Sequence, residues 1–197
     1  MILFDRIALD IKEFVNFFID KYKYDKRGIL KGFKMKSGLN KQLNEDIWCN
    51  LFIKKSAYNY CAKFLLIKLW EDKGKILSKI NKRGIEKWEK LVSNLDNYYS
   101  KLYEIAEMDL INNREIKDAF KNSDYDIFKI DNELAEFMIK RLMEYDFSTY
   151  NLETINQIFT NTYLQDEEFG YNLQYFYKPA YAIEFILDIK MVKEKLV

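Results

Sequence analysis

Residues 44–74 constrain the fold most, because they read as one helix too apolar to lie at a surface. Asn44 stands where an N-cap belongs, and Glu45 and Asp46 follow in the first turn, where acids complement the helix dipole. From Ile47 the apolar positions Leu51, Phe52, Tyr58, Cys61, Ala62, Leu65, Leu66 and Leu69 run on to Trp70, and Gly74 supplies a stop. The pattern predicts one long, mostly buried helix. The 197 residues hold material to cover it, since 49% are hydrophobic and 17% aromatic, which argues against disorder. One proline and six glycines are too few turn signals for a β-sandwich or barrel. The expected class is all-α, a bundle of about seven or eight helices. It is read as a single domain over 1–197, with a weak internal boundary near 112–132.

The remaining helices follow from spacing and caps. Ile7, Ile11, Phe14, Val15, Phe18 and Tyr22 recur at intervals of three and four and predict a helix over 2–22. Leu9, Phe17 and Ile19 widen its apolar surface, so most of its circumference is expected to be covered. Further helices are expected at 85–93, after a cap at Asp96, near 114–121, over 132–145, and from a cap at Asn151 through Tyr163. A last one is expected just after Pro179, a residue suited to a first helical turn. The stretch 21–41 carries eight Lys/Arg and one acid, with Gly28, Gly32 and Gly38 spaced through it. It is expected to be a loop or a small hairpin within 23–43, the one place where strand is allowed.

A net charge of +1 hides an asymmetry: residues 1–90 carry 21 Lys/Arg against 11 Asp/Glu, and residues 91–197 carry 11 against 20. Such a chain is expected either to face a polyanion with its basic part or to dock on a partner of opposite sign. Phosphate contact is assigned to Lys21, Lys23, Lys26, Arg27, Lys31, Lys34 and Lys36, with Lys79, Lys82 and Arg83 adding to the same face. Lysine outnumbers arginine among them, so the contact is expected to be largely independent of base sequence.

Much chemistry is absent. There is no histidine, which removes Ser-His-Asp, Cys-His and His-metal sites, and no Gly-x-Gly or Walker pattern cradles a phosphate. Cys49 and Cys61 lie in apolar helical pattern and are read as buried thiols. The acid groups Glu71-Asp72 and Asp166-Glu167-Glu168 are read as a helix end and a solvated loop. No run of 18 apolar residues exists, and Met1 to Arg6 lacks a basic n-region, so the expectation is no membrane span, no signal peptide and a cytoplasmic place.

Two segments carry a family resemblance. Ala57-Tyr58-Asn59-Tyr60-Cys61-Ala62-Lys63-Phe64-Leu65-Leu66-Ile67-Lys68-Leu69-Trp70-Glu71-Asp72-Lys73-Gly74 resembles the helix of adenine-specific DNA methyltransferases of type I and type IIG restriction systems that reads apolar-Arg-apolar-Leu-Glu-Asp. Tyr145-Asp146-Phe147-Ser148, Leu152 to Phe159, Tyr163-Leu164 and Phe176-Tyr177-Lys178-Pro179 resemble the stretch that closes that family's helical N-terminal region before Gly-x-Tyr-Tyr-Thr-Pro. The order and approximate spacing agree over most of 45–190. Lys178 stands for the threonine of that turn and Gln174-Tyr175 for its glycine, and Pro179, being the sole proline, excludes Asn-Pro-Pro-Tyr.

The resemblance implies a non-catalytic helical module without the catalytic domain. It would contact DNA, dock on a methyltransferase or other defence-system protein, or both. Tyr175, Phe176, Tyr177, Lys178 and Pro179 would form the edge facing a partner or cofactor. No cofactor is expected in this chain, and S-adenosylmethionine would enter only with a catalytic domain. The alternative is a stand-alone interaction factor, such as a mobile-element inhibitor of a host defence complex. In either case the chain is not expected to be an enzyme.

Overall fold

A computed structural model describes residues 3–25, 28–37, 43–92, 94, 97–112, 120 and 124–166. Among them are seven helices and no strand: α1 (Leu3–Tyr22), α2 (Ile29–Ser37), α3 (Glu45–Asp72), α4 (Lys82–Glu89), α5 (Tyr99–Asn112), α6 (Asn132–Leu142) and α7 (Leu152–Leu164). The protein is therefore an all-α bundle. The cap at Asp96, the helix near 114–121 except Phe120, and the helix after Pro179 lie outside the described residues.

α3 begins and ends where local chemistry dictates. The Asn44 side chain accepts from Asp46 N (2.9 Å), occupying one of the donors that a helix start leaves open. At the other end Gly74 adopts φ +67°, which lets Lys75 N reach Trp70 O (2.9 Å) and Gly74 N reach Glu71 O (3.0 Å). This is the paired closure that a left-handed residue after a helix permits. Asn81, Asp131 and Asn151 cap α4, α6 and α7 by accepting from Gly84 N (2.9 Å), Leu134 N (3.0 Å) and Thr154 N (2.8 Å). α4 thus starts three residues before the expected 85, because Asn81 is the capping side chain.

The hairpin expected within 23–43 is instead α2. Gly28 turns the chain at φ +66°, and Asp25 accepts from Leu30 N (2.8 Å) at the new helix start. Leu30 is buried, and the Phe33 ring lies 5.1 Å from Phe52 and 6.4 Å from Trp48. Burial of Leu30 and packing of the half-buried Phe33 on α3 outweigh the cost of Gly32 in the helix interior, about 1 kcal/mol against alanine.

α3 is covered on every side. It packs on α1, α2, α5, α6 and α7, and 21 of its 28 residues are buried. One continuous hydrophobic cluster draws Phe14 from α1, Phe64 from α3, Leu102 from α5, Met138 from α6 and Phe159 from α7. Phe120, Tyr125, Phe128 and Ile130, within the polar stretch 112–132, enter the same cluster. α1 turns Ile7, Ile11, Phe14, Val15 and Phe18 inward as its spacing predicts, and Phe17 and Ile19 pack half-buried against the core, whereas Leu9 and Phe4 face outward.

Two glycines separate packing from propensity. A Cβ on Gly84 would meet the Lys79 backbone at 2.5 Å, whereas one on Gly32 would meet nothing within 4 Å. Gly84→Ala is expected to cost about 1–3 kcal/mol through overpacking. Gly32→Ala is expected to gain about 0.5–1 kcal/mol by removing backbone freedom from the unfolded chain. Urea unfolding midpoints of the two variants check this contrast.

Candidate functional site

Of the ten cations assigned to phosphate contact, Lys26 and Arg27 lie outside the described residues, and the fold engages five of the other eight. Lys21, near the end of α1, bridges Asp131 and Glu133 (2.7 Å) at the start of α6. Lys79 is buried against Asp109 of α5. Lys34 donates to Leu43 O (2.5 Å) and stands 5.8 Å over the Trp48 ring. Lys23 pairs with Asp20 (2.5 Å), and Lys31 faces Glu45 at 3.9 Å. Lys36, Lys82 and Arg83 are exposed and make no ion pair among the described residues. Among the described residues, what remains free of the expected basic face is three side chains on two separate helices. Tyr175, Phe176, Tyr177, Lys178 and Pro179 lie outside the described residues.

The two segments singled out by the resemblance meet in space. Lys68 Nζ donates to Tyr145 O (2.7 Å) and pairs with Asp72. Asp72 also accepts from Phe147 N (2.9 Å) and Asn81 Nδ2 (3.1 Å), while Lys73 reaches Ser148 O (3.4 Å). The buried Glu71 carboxylate accepts from Ile80 N (3.0 Å) and Asn81 N (2.8 Å). Burial raises the Glu71 pKa, and those donors oppose the shift by favouring the charged form. The Glu-Asp pair therefore works as a joint, tying the end of α3 to the α4 cap and to the turn before α7. Asp10 closes the same region from α1, accepting from Arg141 (2.8 Å) and from the Tyr145 hydroxyl.

A second constellation has no local signature in the sequence. A cavity of about 270 Å³ opens between α3, α5 and the 124–130 turn, lined in part by Tyr60, Lys63, Tyr103, Glu107 and Asp126. Lys63, 3% exposed, reaches Glu107 (2.8 Å) and Asp126 (3.2 Å). Tyr103 donates to Glu107 (3.2 Å) and Tyr60 to Phe128 O (2.8 Å). Burial, reinforced by the nearby carboxylates, pushes both phenols above their ordinary pKa. The signal in the sequence is a lysine on a helix apolar on all faces, since such a lysine must be buried and must recruit acids.

These groups supply ion pairs and hydrogen bonds rather than an activated nucleophile. The Cys61 thiol is buried and Cys49 half-buried, and burial raises both pKa values, which suppresses the reactive thiolate. Among the described residues no three acid or thiol side chains converge as metal ligands, and no helix is long and apolar enough to cross a membrane. Compared with protein-family models, curated proteins and solved structures, the chain matches none.

Lys63→Met leaves two carboxylates facing an apolar side chain and is expected to cost about 3–5 kcal/mol in chemical denaturation. Lys101→Met, which breaks an exposed pair with Glu104, is expected to cost less than about 1 kcal/mol. At alkaline pH, native Tyr58, Tyr60 and Tyr103 keep protons that the unfolded chain releases near pH 10. Their stabilisation is complete below pH 10 and is lost as pH rises beyond it. Tyrosinate absorbance from these residues should therefore appear together with loss of helical circular dichroism, not ahead of it.

Proposed function

We infer that this chain is a non-catalytic docking module of the kind found at the helical N-terminal end of restriction–modification adenine DNA methyltransferases. Its work would be to hold a methyltransferase or another defence-system protein. The observation that carries this reading is the joint in which Lys68, Glu71 and Asp72 bind the 145–148 turn and the α4 cap. The residues that give the family resemblance on separate stretches of sequence are the ones that lock those stretches together. A motif kept for folding rather than catalysis fits a part that positions something else.

The internal use of Lys21, Lys34 and Lys79 favours protein docking over an extended DNA face. A duplex contact would rest on Lys36, Lys82 and Arg83 within the described residues, and few phosphates neutralised means weak, salt-sensitive binding.

Purification of the tagged full chain from its native host tests the reading. Co-elution with a chain carrying Asn-Pro-Pro-Tyr or Asn-Pro-Pro-Phe is expected, and recovery of the protein alone would overturn it. In a salt-titrated DNA-binding assay, charge reversal at Lys36, Lys82 and Arg83 is expected to flatten the slope of log affinity against log salt by about two to three units. A slope that stays unchanged removes DNA contact by these side chains.

A further inference from the structure

The outward stripe of α1 is apolar at its centre and charged at its ends. Leu9 is 46% exposed, while Ile7, Ile11, Phe14, Val15 and Phe18 on the same helix are buried. It lines a groove of about 430 Å³ between α1 and α7, together with Ala8 and Ile158. Asp5, Ala8, Leu9 and Lys12 are spaced three, one and three apart and so share one helix face. Asp5 makes no ion pair among the described residues, and the one partner of Lys12 among them is the neutral Gln165 (3.1 Å).

This face is its own complement. When two α1 helices are laid antiparallel about a two-fold axis between residues 8 and 9, Asp5 of each copy falls opposite Lys12 of the other. Leu9 of each falls opposite Ala8, so a large side chain meets a small one. A parallel pairing would instead set Asp5 against Asp5 and Lys12 against Lys12. A slip of one turn would forfeit both ion pairs. We propose that two copies of this chain associate through α1 in this antiparallel, isologous arrangement, each Leu9 entering the other copy's α1/α7 groove beside Ala8 and Ile158. The apolar centre supplies the attraction, and the two rim pairs set direction and register. The inference goes beyond the docking function and does not depend on it, because the face used belongs to α1 and α7 and not to the joint at the end of α3.

Sedimentation velocity of the full chain from low to high micromolar concentration tests it, with circular dichroism as the control for folding. A monomer–dimer equilibrium is expected. Leu9→Asp should abolish the dimer, since it places two carboxylates in the groove. Asp5→Lys or Lys12→Asp alone turns both symmetry-related attractions into repulsions and should raise the dissociation constant about tenfold or more. The double exchange Asp5→Lys with Lys12→Asp should return it to within about threefold of the original, because the pairs re-form with signs reversed. A monomer at every concentration, a dimer indifferent to Leu9→Asp, or a double exchange no tighter than the single ones would each overturn the proposal.

Discussion

The whole structure depends on surrounding α3 on all sides without stranding its charges. That helix carries Lys55, Lys63, Lys68 and Glu71 into the interior, each at most 3% exposed. An unpaired ion there would cost several kcal/mol, so the segments that cover these positions must bring partners as well as apolar surface. α5 and the 124–130 turn bring Glu107 and Asp126 to Lys63. The turn before α7 brings Tyr145 O to Lys68, and the α4 cap brings two backbone donors to Glu71. Lys55 is met by Asn59 at 3.0 Å and by the Tyr125 ring at 4.5 Å. Buried pairs of this kind add little net stability over apolar packing. Their effect here is on register, because sliding α5, the 124–130 turn or the turn before α7 along α3 would set an ammonium against hydrocarbon.

The same requirement explains the charge asymmetry of the chain. Basic and acidic parts cancel in composition, and the fold shows the cancellation in space. Lys21 meets Asp131 and Glu133, Lys54 meets Asp166 (3.0 Å), Lys63 meets Glu107 and Asp126, and Lys79 meets Asp109. Arg141 runs the other way, from the acidic part to Asp10 and Glu13 in α1. Four lysines of the first 90 residues thus find acids in the last 107, while Lys23, Lys31 and Lys68 pair within their own part. A long-range field inferred from sequence counts is correspondingly reduced at the surface, which shifts weight from polyanion binding towards protein docking.

What could be read in advance was local, and what could not was paired across the chain. Asn44, Gly74 and Asn151 announced helix ends because a cap is a relation among residues within four positions. The glycines and lysines of α2 argue for a loop, and only burial of Leu30 and packing of Phe33 on α3 decide otherwise. Leu9 was expected to be covered because periodicity shows which residues lie on a face but not whether a neighbour is present to cover it. Glu71 and Asp72 were visible as a helix end, yet their partners at 80–81 and 147 come from elements whose approach no spacing reveals. The role of Lys63 lies in Glu107 and Asp126, more than forty residues away, where local spacing does not reach.

This division bears on where function can reside. The polar groups with the most specific geometry, at Lys63 and at the Glu71–Asp72 joint, are already engaged within the fold, so their removal acts first on stability. A side chain free to act on another molecule must be one that the fold does not require. Among the described residues Lys36, Lys82 and Arg83 on α2 and α4 meet that criterion, and so does the Asp5–Leu9–Lys12 stripe on α1. The stripe differs from the scattered cations in combining an apolar centre with charges of opposite sign at a fixed interval. Isolated lysines confer general attraction to anions, whereas such an arrangement confers register, and register is what distinguishes a docking surface from a solvated one.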